Sequence, residues 1–178
     1  MELKINFKIL KPFFEKPRKS YLIREIAKEI KVNHTTVRQY LKYLENEGVL
    51  SKNKQELYPQ YQIVQSKKYF NLKLYYNLEK LRTSNLIKDL QQAYDFPTIV
   101  LFGSYAQARD TSDSDVDICL ITEIKKEFNT ERYEKILNRK ISLHKFNKKK
   151  LETMKLKNKE LLNSILNGIV LDGELEII

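Results

Sequence analysis

Residues 101–121 read LFGSYAQARDTSDSDVDICLI, and this stretch decides the fold. Residues 98–102, TIVLF, are apolar and β-branched, the composition of a short buried strand. Gly103-Ser104 follows at once, then a helix-prone YAQA, a polar loop rich in Asp, Ser and Thr, and a second apolar run at 116–121. Asp115 and Asp117 stand at the start of that run. In a strand, residues two apart share a face and the one between faces the other way. Val116 can therefore enter the core while both carboxylates project together into solvent or a cleft.

Two neighbouring carboxylates repel, and the preceding loop adds Asp110 and Asp113. Such a cluster is unfavourable unless a cation neutralises it or one acid keeps its proton. Hard oxygen ligands at this spacing suit Mg²⁺, which takes one or two carboxylates and completes its shell with phosphate oxygens and water. Gly103 permits a backbone conformation closed to other residues, so a triphosphate can approach closely. The amides around Ser104, at a helix start, would face that phosphate. Asp115 and Asp117 are thus the candidate catalytic and metal-binding residues, and Gly103 and Ser104 the nucleotide-binding ones. The competing account, a solvated acidic loop before a core strand, leaves the alternation around Val116 unexplained.

The string Gly-Ser, ten residues, then Asp115-Val116-Asp117 between apolar runs resembles the signature of the polymerase beta-type nucleotidyltransferases. It is closest to their minimal form, whose usual pattern is GSYARG…SDIDL. The resemblance implies a small mixed sheet with helices, and Mg²⁺-dependent transfer of a nucleoside monophosphate from a nucleoside triphosphate to an acceptor hydroxyl. Small relatives modify antibiotics or partner proteins, so either class of acceptor is implied. Two departures stand out. The family places a third carboxylate on a later strand; here that strand is RKISLHKF (139–146), which has no acid, with Ser142 at the expected position and His144 two residues on. Glu131 and Glu134 are near in sequence but fall on an expected helix. Ala108 also stands where the family usually has Gly. Three outcomes stay open: a slow one-metal transferase, a site using His144 as base, or a domain that binds nucleotide without reacting.

The 178 residues suffice for one large domain or two small ones, and 42% hydrophobic with 31% charged residues are globular proportions. No apolar run reaches the eighteen or more residues of a membrane span. The start, MELKINFKIL, resembles neither a signal nor a transit peptide, so a cytoplasmic protein with no membrane partner is expected. The single cysteine, Cys119, is expected as a small core residue. The net charge of +10 is uneven: residues 1–70 carry 15 Lys+Arg against 7 Asp+Glu, and residues 71–178 carry 18 against 16. The basic excess points to an anionic partner for the N-terminal part.

That part is expected to be helical over Ile5, Ile9, Leu10, Phe13 and Phe14, with Pro12 kinking or limiting the helix. Ser20 is the expected cap of a second helix carrying Leu22, Ile23, Ile26, Ala27 and Ile30. Asn33 is expected to cap a third with the stripe Val37, Tyr40, Leu41 and Leu44, ended by Gly48. Residues 49–50 and 57–64 then form a two-stranded wing around a turn at 53–56, with Pro59 confining the second strand to a sheet edge. The stretch LIREIAKEIKVNHTTVRQYLKYLENEGVL resembles the recognition unit of winged helix-turn-helix domains. By that resemblance double-stranded DNA is the partner, and Asn33, His34, Thr35, Arg38, Gln39 and Lys42 face it. Arg38 suits guanine and Gln39 adenine, while Lys19, Lys52 and Lys54 suit phosphate. A homodimer is the default for such a domain, on analogy alone.

The expected organisation is α+β: a winged helix-turn-helix at 1–66, a helical connector at 67–83 and a nucleotidyltransferase-like domain at 84–178. Residues 67–94 are expected to hold two helical stretches, with Thr83-Ser84 capping the second, and Tyr69, Phe70, Tyr75 and Tyr76 are candidates for packing between domains or for a dimer seam. Beyond residue 121 the pattern predicts a helix at 130–137, a strand at 141–146, one long helix at 151–166 and a short strand within 168–173. Two functions compete. One is a nucleotidyltransferase joined to a DNA-binding domain. The other is a DNA-binding transcriptional regulator whose degenerate transferase domain senses nucleotide.

Overall fold

The computed structural model describes residues 7–53 and 58–175. The chain divides into two compact units, Met1–Lys73 and Leu74–Ile178. In the first, helix α1 (Phe7–Glu15) buries Ile9, Leu10, Pro12, Phe13 and Phe14, with Pro12 inside the helix. The expected contribution of Ile5 lies outside the described residues. A two-residue strand, β1 (Tyr21–Leu22), precedes helix α2 (Ile23–Ile30). Ser20 is therefore not the cap: its hydroxyl donates to Gln62 at 3.4 Å, and the Leu22 amide donates to the Glu25 carboxylate at 2.8 Å instead. Pairing of Tyr21 and Leu22 with a strand takes the chain out of helical geometry until Ile23.

Lys31 closes α2 in the left-handed conformation, and Asn33 caps helix α3 (His34–Asn46) by accepting the Thr35 amide at 2.7 Å. Val37, Leu41 and Leu44 of α3 are buried. After Gly48 (φ +69°), strands β2 (Leu50–Asn53) and β3 (Gln60–Ile63) pair antiparallel. The sheet order is β1-β3-β2, which places β3 in the centre rather than at the expected edge. Pro59 precedes the strand, so its missing N–H costs no ladder bond. The expected turn at 53–56 falls largely outside the described residues.

Helix α4 (Lys67–Ser84) contains the division between the units. Within the first unit its Tyr69 is buried and packs on Phe14, ring centroids 5.8 Å apart. Tyr75 is exposed. Helix α5 (Leu86–Ala93) follows a left-handed Asn85, and the Ser84 hydroxyl accepts the Leu86 amide at 3.2 Å.

The second unit is built on a mixed four-stranded sheet of order β6-β5-β4-β7: β4 (Thr98–Phe102), β5 (Val116–Ile121), β6 (Ile141–Phe146) and β7 (Ile169–Asp172). β5 and β6 are parallel; β4 is antiparallel to both β5 and β7. Short helix α6 (Gly103–Ala106) leaves β4, and α7 (Glu131–Leu137) precedes β6. Helices cover both faces. Val116, Ile118 and Leu120 pack with Leu81, Leu86, Leu90, Tyr133 and Leu137 on one side. Val100, Phe102 and Cys119 pack on the other with residues of α8 (Lys148–Lys157) and α9 (Lys159–Leu166), namely Leu151, Met154, Leu162 and Ile165. The single helix expected at 151–166 is thus two: Asn158 leaves helical geometry (φ −151°, ψ 70°), and its side chain accepts the Leu161 amide at 3.1 Å. Burial pushes the Cys119 thiol up to about 12, so it stays protonated as a core residue.

Candidate active site

The alternation of β5 sorts its side chains between two environments. Val116 is fully buried, while Asp115, immediately before the strand, and Asp117 within it are half-buried. Both lie at the end of the sheet where β4 finishes and β5 and β6 begin, because β4 runs antiparallel to β5 and Phe102 pairs with Asp117. Gly103 follows Phe102 directly and adopts φ +72°, a region that side chains disfavour. A Cβ at Gly103 would overlap Asp117 Oδ2 and stand 3.2 Å from its Cγ. The missing side chain is what gives the Asp117 carboxylate its place beside the start of α6. Ser104 is the second residue of α6, and its carbonyl accepts the Arg109 amide at 2.9 Å.

The electrostatics match the crowding. Burial holds the Asp117 carboxyl above its ordinary value; His144 acts against this and Asp115 adds to it. Across the parallel ladder Asp117 pairs with Ser142 and Cys119 with His144. The Ser142 hydroxyl donates to Asp115 Oδ2 at 3.3 Å. The His144 ring lies between aromatic neighbours, 5.3 Å from the Phe102 centroid and 6.5 Å from that of Phe146.

Asp110 does not join the acidic cluster expected from sequence. It is 2% exposed, accepts from Asn77 Nδ2 at 2.9 Å, and faces Arg139 at 3.8 Å. Asn77 Nδ2 also donates to the Tyr105 carbonyl at 3.0 Å, so α4 ties α6 to the loop after it. Sequence reasoning missed Asn77 and Arg139, and no local signal marks either, since their partners lie about thirty residues away in the chain. Ala108, in that loop, takes φ +55°, the conformation for which glycine is ordinarily used.

Beside Asp115 opens a cleft of about 660 Å³, lined by residues 112–115, Glu131, Glu134, Lys135 and 138–140. It contains Asp115 but neither Asp117 nor Gly103 nor Ser104. Glu134 is engaged in structure: its Oε1 accepts the Thr130 hydroxyl at 3.0 Å and the Ile141 amide at 3.1 Å. Among the described residues no group of three or more His, Cys, Asp or Glu is placed to hold a metal ion. The pair Asp115 and Asp117 still suits Mg²⁺, which needs one or two carboxylates and takes its other oxygens from water and phosphate.

In the first unit, Asn33, His34, Thr35, Arg38, Gln39 and Lys42 are all exposed, opposite the buried stripe of α3. Asn33 caps the helix through its side chain. Lys19 Nζ sits 4.5 Å from the Tyr21 ring centroid and 3.8 Å from Glu25, and Lys52 Nζ lies 5.9 Å from the Tyr61 centroid. Lys54 lies outside the described residues. No helix among the described residues is long and apolar enough to cross a membrane.

Residues 84–172 match the family model described as Polymerase beta, Nucleotidyltransferase. The matched span begins at the end of α4 and runs to the end of β7. No curated protein and no solved structure matched the chain.

Proposed function

The chain belongs to the polymerase beta nucleotidyltransferase family, and on that premise we propose that its second unit transfers a nucleoside monophosphate from a nucleoside triphosphate to an acceptor hydroxyl. The observation that carries the proposal is the juxtaposition of Gly103 with Asp117 where β4 meets β5. Gly103 and Ser104 hold the triphosphate, with their backbone free to approach it. Asp115 and Asp117 hold Mg²⁺. A bound divalent cation there supplies charge neutralisation on the polyphosphate and relieves the repulsion between the two acids. Ser142 fixes the rotamer of Asp115, and Asn77 steadies the turn between α6 and β5. The acceptor enters by the cleft at Asp115, whose lining does not include Gly103 or Ser104; attacking and leaving oxygens lie in line, so acceptor and triphosphate need separate approaches. The nature of that cleft, lined by Asp113 and Glu131 as well as Lys135 and Lys140, suits a polar acceptor such as a hydroxyl of a partner protein.

The test is transfer from α-labelled nucleoside triphosphates in the presence of Mg²⁺. Candidate acceptors include neighbouring proteins and aminoglycoside-like antibiotics. Labelled acceptor and pyrophosphate should form with the wild type and be lost in Asp115→Asn. Nucleotide binding without transfer to any acceptor would favour the second reading, a regulator that senses nucleotide.

The first unit, we infer, is a winged helix-turn-helix that binds double-stranded DNA. The order α1, β1, α2, α3, β2, β3 supports this, as does the exposure of the six polar residues along α3. Helix α3 lies in the major groove, with Arg38 and Gln39 at base edges. Failure to bind any duplex at low salt would sink this half of the proposal without touching the first.

A further inference from the structure

We propose that His144 is the nucleobase platform of this site: its half-buried ring, flanked by Phe102 and Phe146, stacks the base of the nucleoside triphosphate. The inference rests on the reading that Asp115 and Asp117 hold the cation and Gly103 and Ser104 the triphosphate.

The ladder puts His144 on the face that carries the acid of β5. Asp117 pairs with Ser142, and Cys119 pairs with His144 two residues further along the parallel strands. Residues two apart in a strand share a face, so Asp117, Ser142 and His144 lie on one side of the sheet. One strand across at about 4.8 Å, and two residues along at about 3.3 Å each, separate His144 from Asp117 by about 8 Å. That span is comparable with the sugar between an α-phosphate and its base. A nucleotide whose phosphates stay at the Gly103 end of the sheet can therefore bring its base over β6.

The ring is suited to that contact and is not used up by the fold. Its centroid lies 5.3 Å from that of Phe102 and 6.5 Å from that of Phe146, and its plane is 10° from the Phe146 plane. Both distances fall in the range of interacting aromatic pairs. Phe102 is 4% exposed and belongs to the core, whereas His144 keeps part of its surface in solvent. Among the described residues no hydrogen bond engages its ring nitrogens. A neutral imidazole carries one donor and one acceptor, so the flanking rings, and not polar bonds, hold this one in place. What it offers a ligand is an aromatic face. Stacking tolerates any base, because each has a π-face, and purines present the larger one.

The experiment compares two probes with Mg²⁺ by calorimetry on the full chain: α,β-methylene ATP, and inorganic tripolyphosphate, which has no base. The wild type should bind the nucleotide more tightly. His144→Ala and His144→Leu should each weaken α,β-methylene ATP about 5–150-fold and leave tripolyphosphate unchanged, while His144→Phe should keep most of the wild-type preference. Leucine fills the space without a π-face, so it decides the matter if the alanine variant does not fold. Three results overturn the inference and leave the cation reading intact: equal affinity of the wild type for both probes, an unchanged nucleotide affinity in a folded Ala or Leu variant, or an equal loss for both probes. Illumination with 8-azido-ATP should label β6, and label confined to other segments overturns the inference as well. A wild type that binds neither probe would remove the underlying reading, and the platform with it.

Discussion

Gly103→Ala separates the stability role of this glycine from its role at the site. Alanine at φ +72° costs about 1–2 kcal/mol for left-handed backbone alone. The new Cβ also overlaps Asp117 Oδ2, but that atom ends a side chain that can swing, so steric relief takes the form of a displaced carboxylate. Gly48→Ala is the matched control: its φ is +69°, and an added Cβ there meets nothing within 4 Å. Each variant should therefore lower the melting transition of its own unit by roughly 4–16 °C, from about 4–8 °C per kcal/mol for units of this size. Only Gly103→Ala should damage the site. A displacement of the carboxylate by about 1 Å is expected to cost about 100-fold in transfer or in Mn²⁺ affinity. Differential scanning fluorimetry reads the first effect, and Mn²⁺ titration with transfer kinetics reads the second. If Gly103→Ala melts like Gly48→Ala yet binds Mn²⁺ with wild-type affinity, the geometric argument for Gly103 fails.

Asp117→Asn should stabilise the metal-free protein at neutral pH. The folded carboxyl titrates above its unfolded value, so the native state binds more protons and stability falls as pH rises from about 4 through the folded pKa. The Asn variant lacks that fall, so its advantage should grow across the window; parallel stability–pH curves would contradict this. Ala108→Gly should be nearly neutral, within about 1 kcal/mol. Relief of left-handed strain at φ +55° offsets a lost buried methyl worth about 0.8 kcal/mol and the added freedom of the unfolded chain. A loss above about 2 kcal/mol by chemical denaturation would show that packing dominates there. Arg38→Ala should weaken duplex binding and reduce the slope of log affinity against log salt by no more than about 1, measured by fluorescence anisotropy. An unchanged affinity would remove Arg38 from the interface.

What the sequence disclosed follows from the range over which each signal acts. The split of Val116 from Asp115 and Asp117 was legible because strand alternation is a local rule. Asn33 was legible as a cap for the same reason: donor and acceptor lie two residues apart. The strand at Tyr21–Leu22 was not, because its pairing with Tyr61 and Gln60 lies some forty residues downstream. That third strand also moved β3 from the edge to the centre. Asn158 interrupts an apolar pattern that runs on without Pro or Gly, so periodicity alone could not divide α8 from α9. Asp110 read as one more acid of the loop until Asn77 and Arg139 supplied a buried setting for it. The cleft beside Asp115 needed the same long-range information, since α7 and the loop before β5 meet only in the folded unit.

On this reading Asp115 and Asp117 join a divalent cation to a polyphosphate. Calorimetry of α,β-methylene ATP binding, with and without Mg²⁺, tests it most directly, on the wild type and on Asp115→Asn with Asp117→Asn. Binding that requires Mg²⁺ and disappears in the double variant is the predicted result. Equal affinity in the absence of Mg²⁺, or in the double variant, would contradict it.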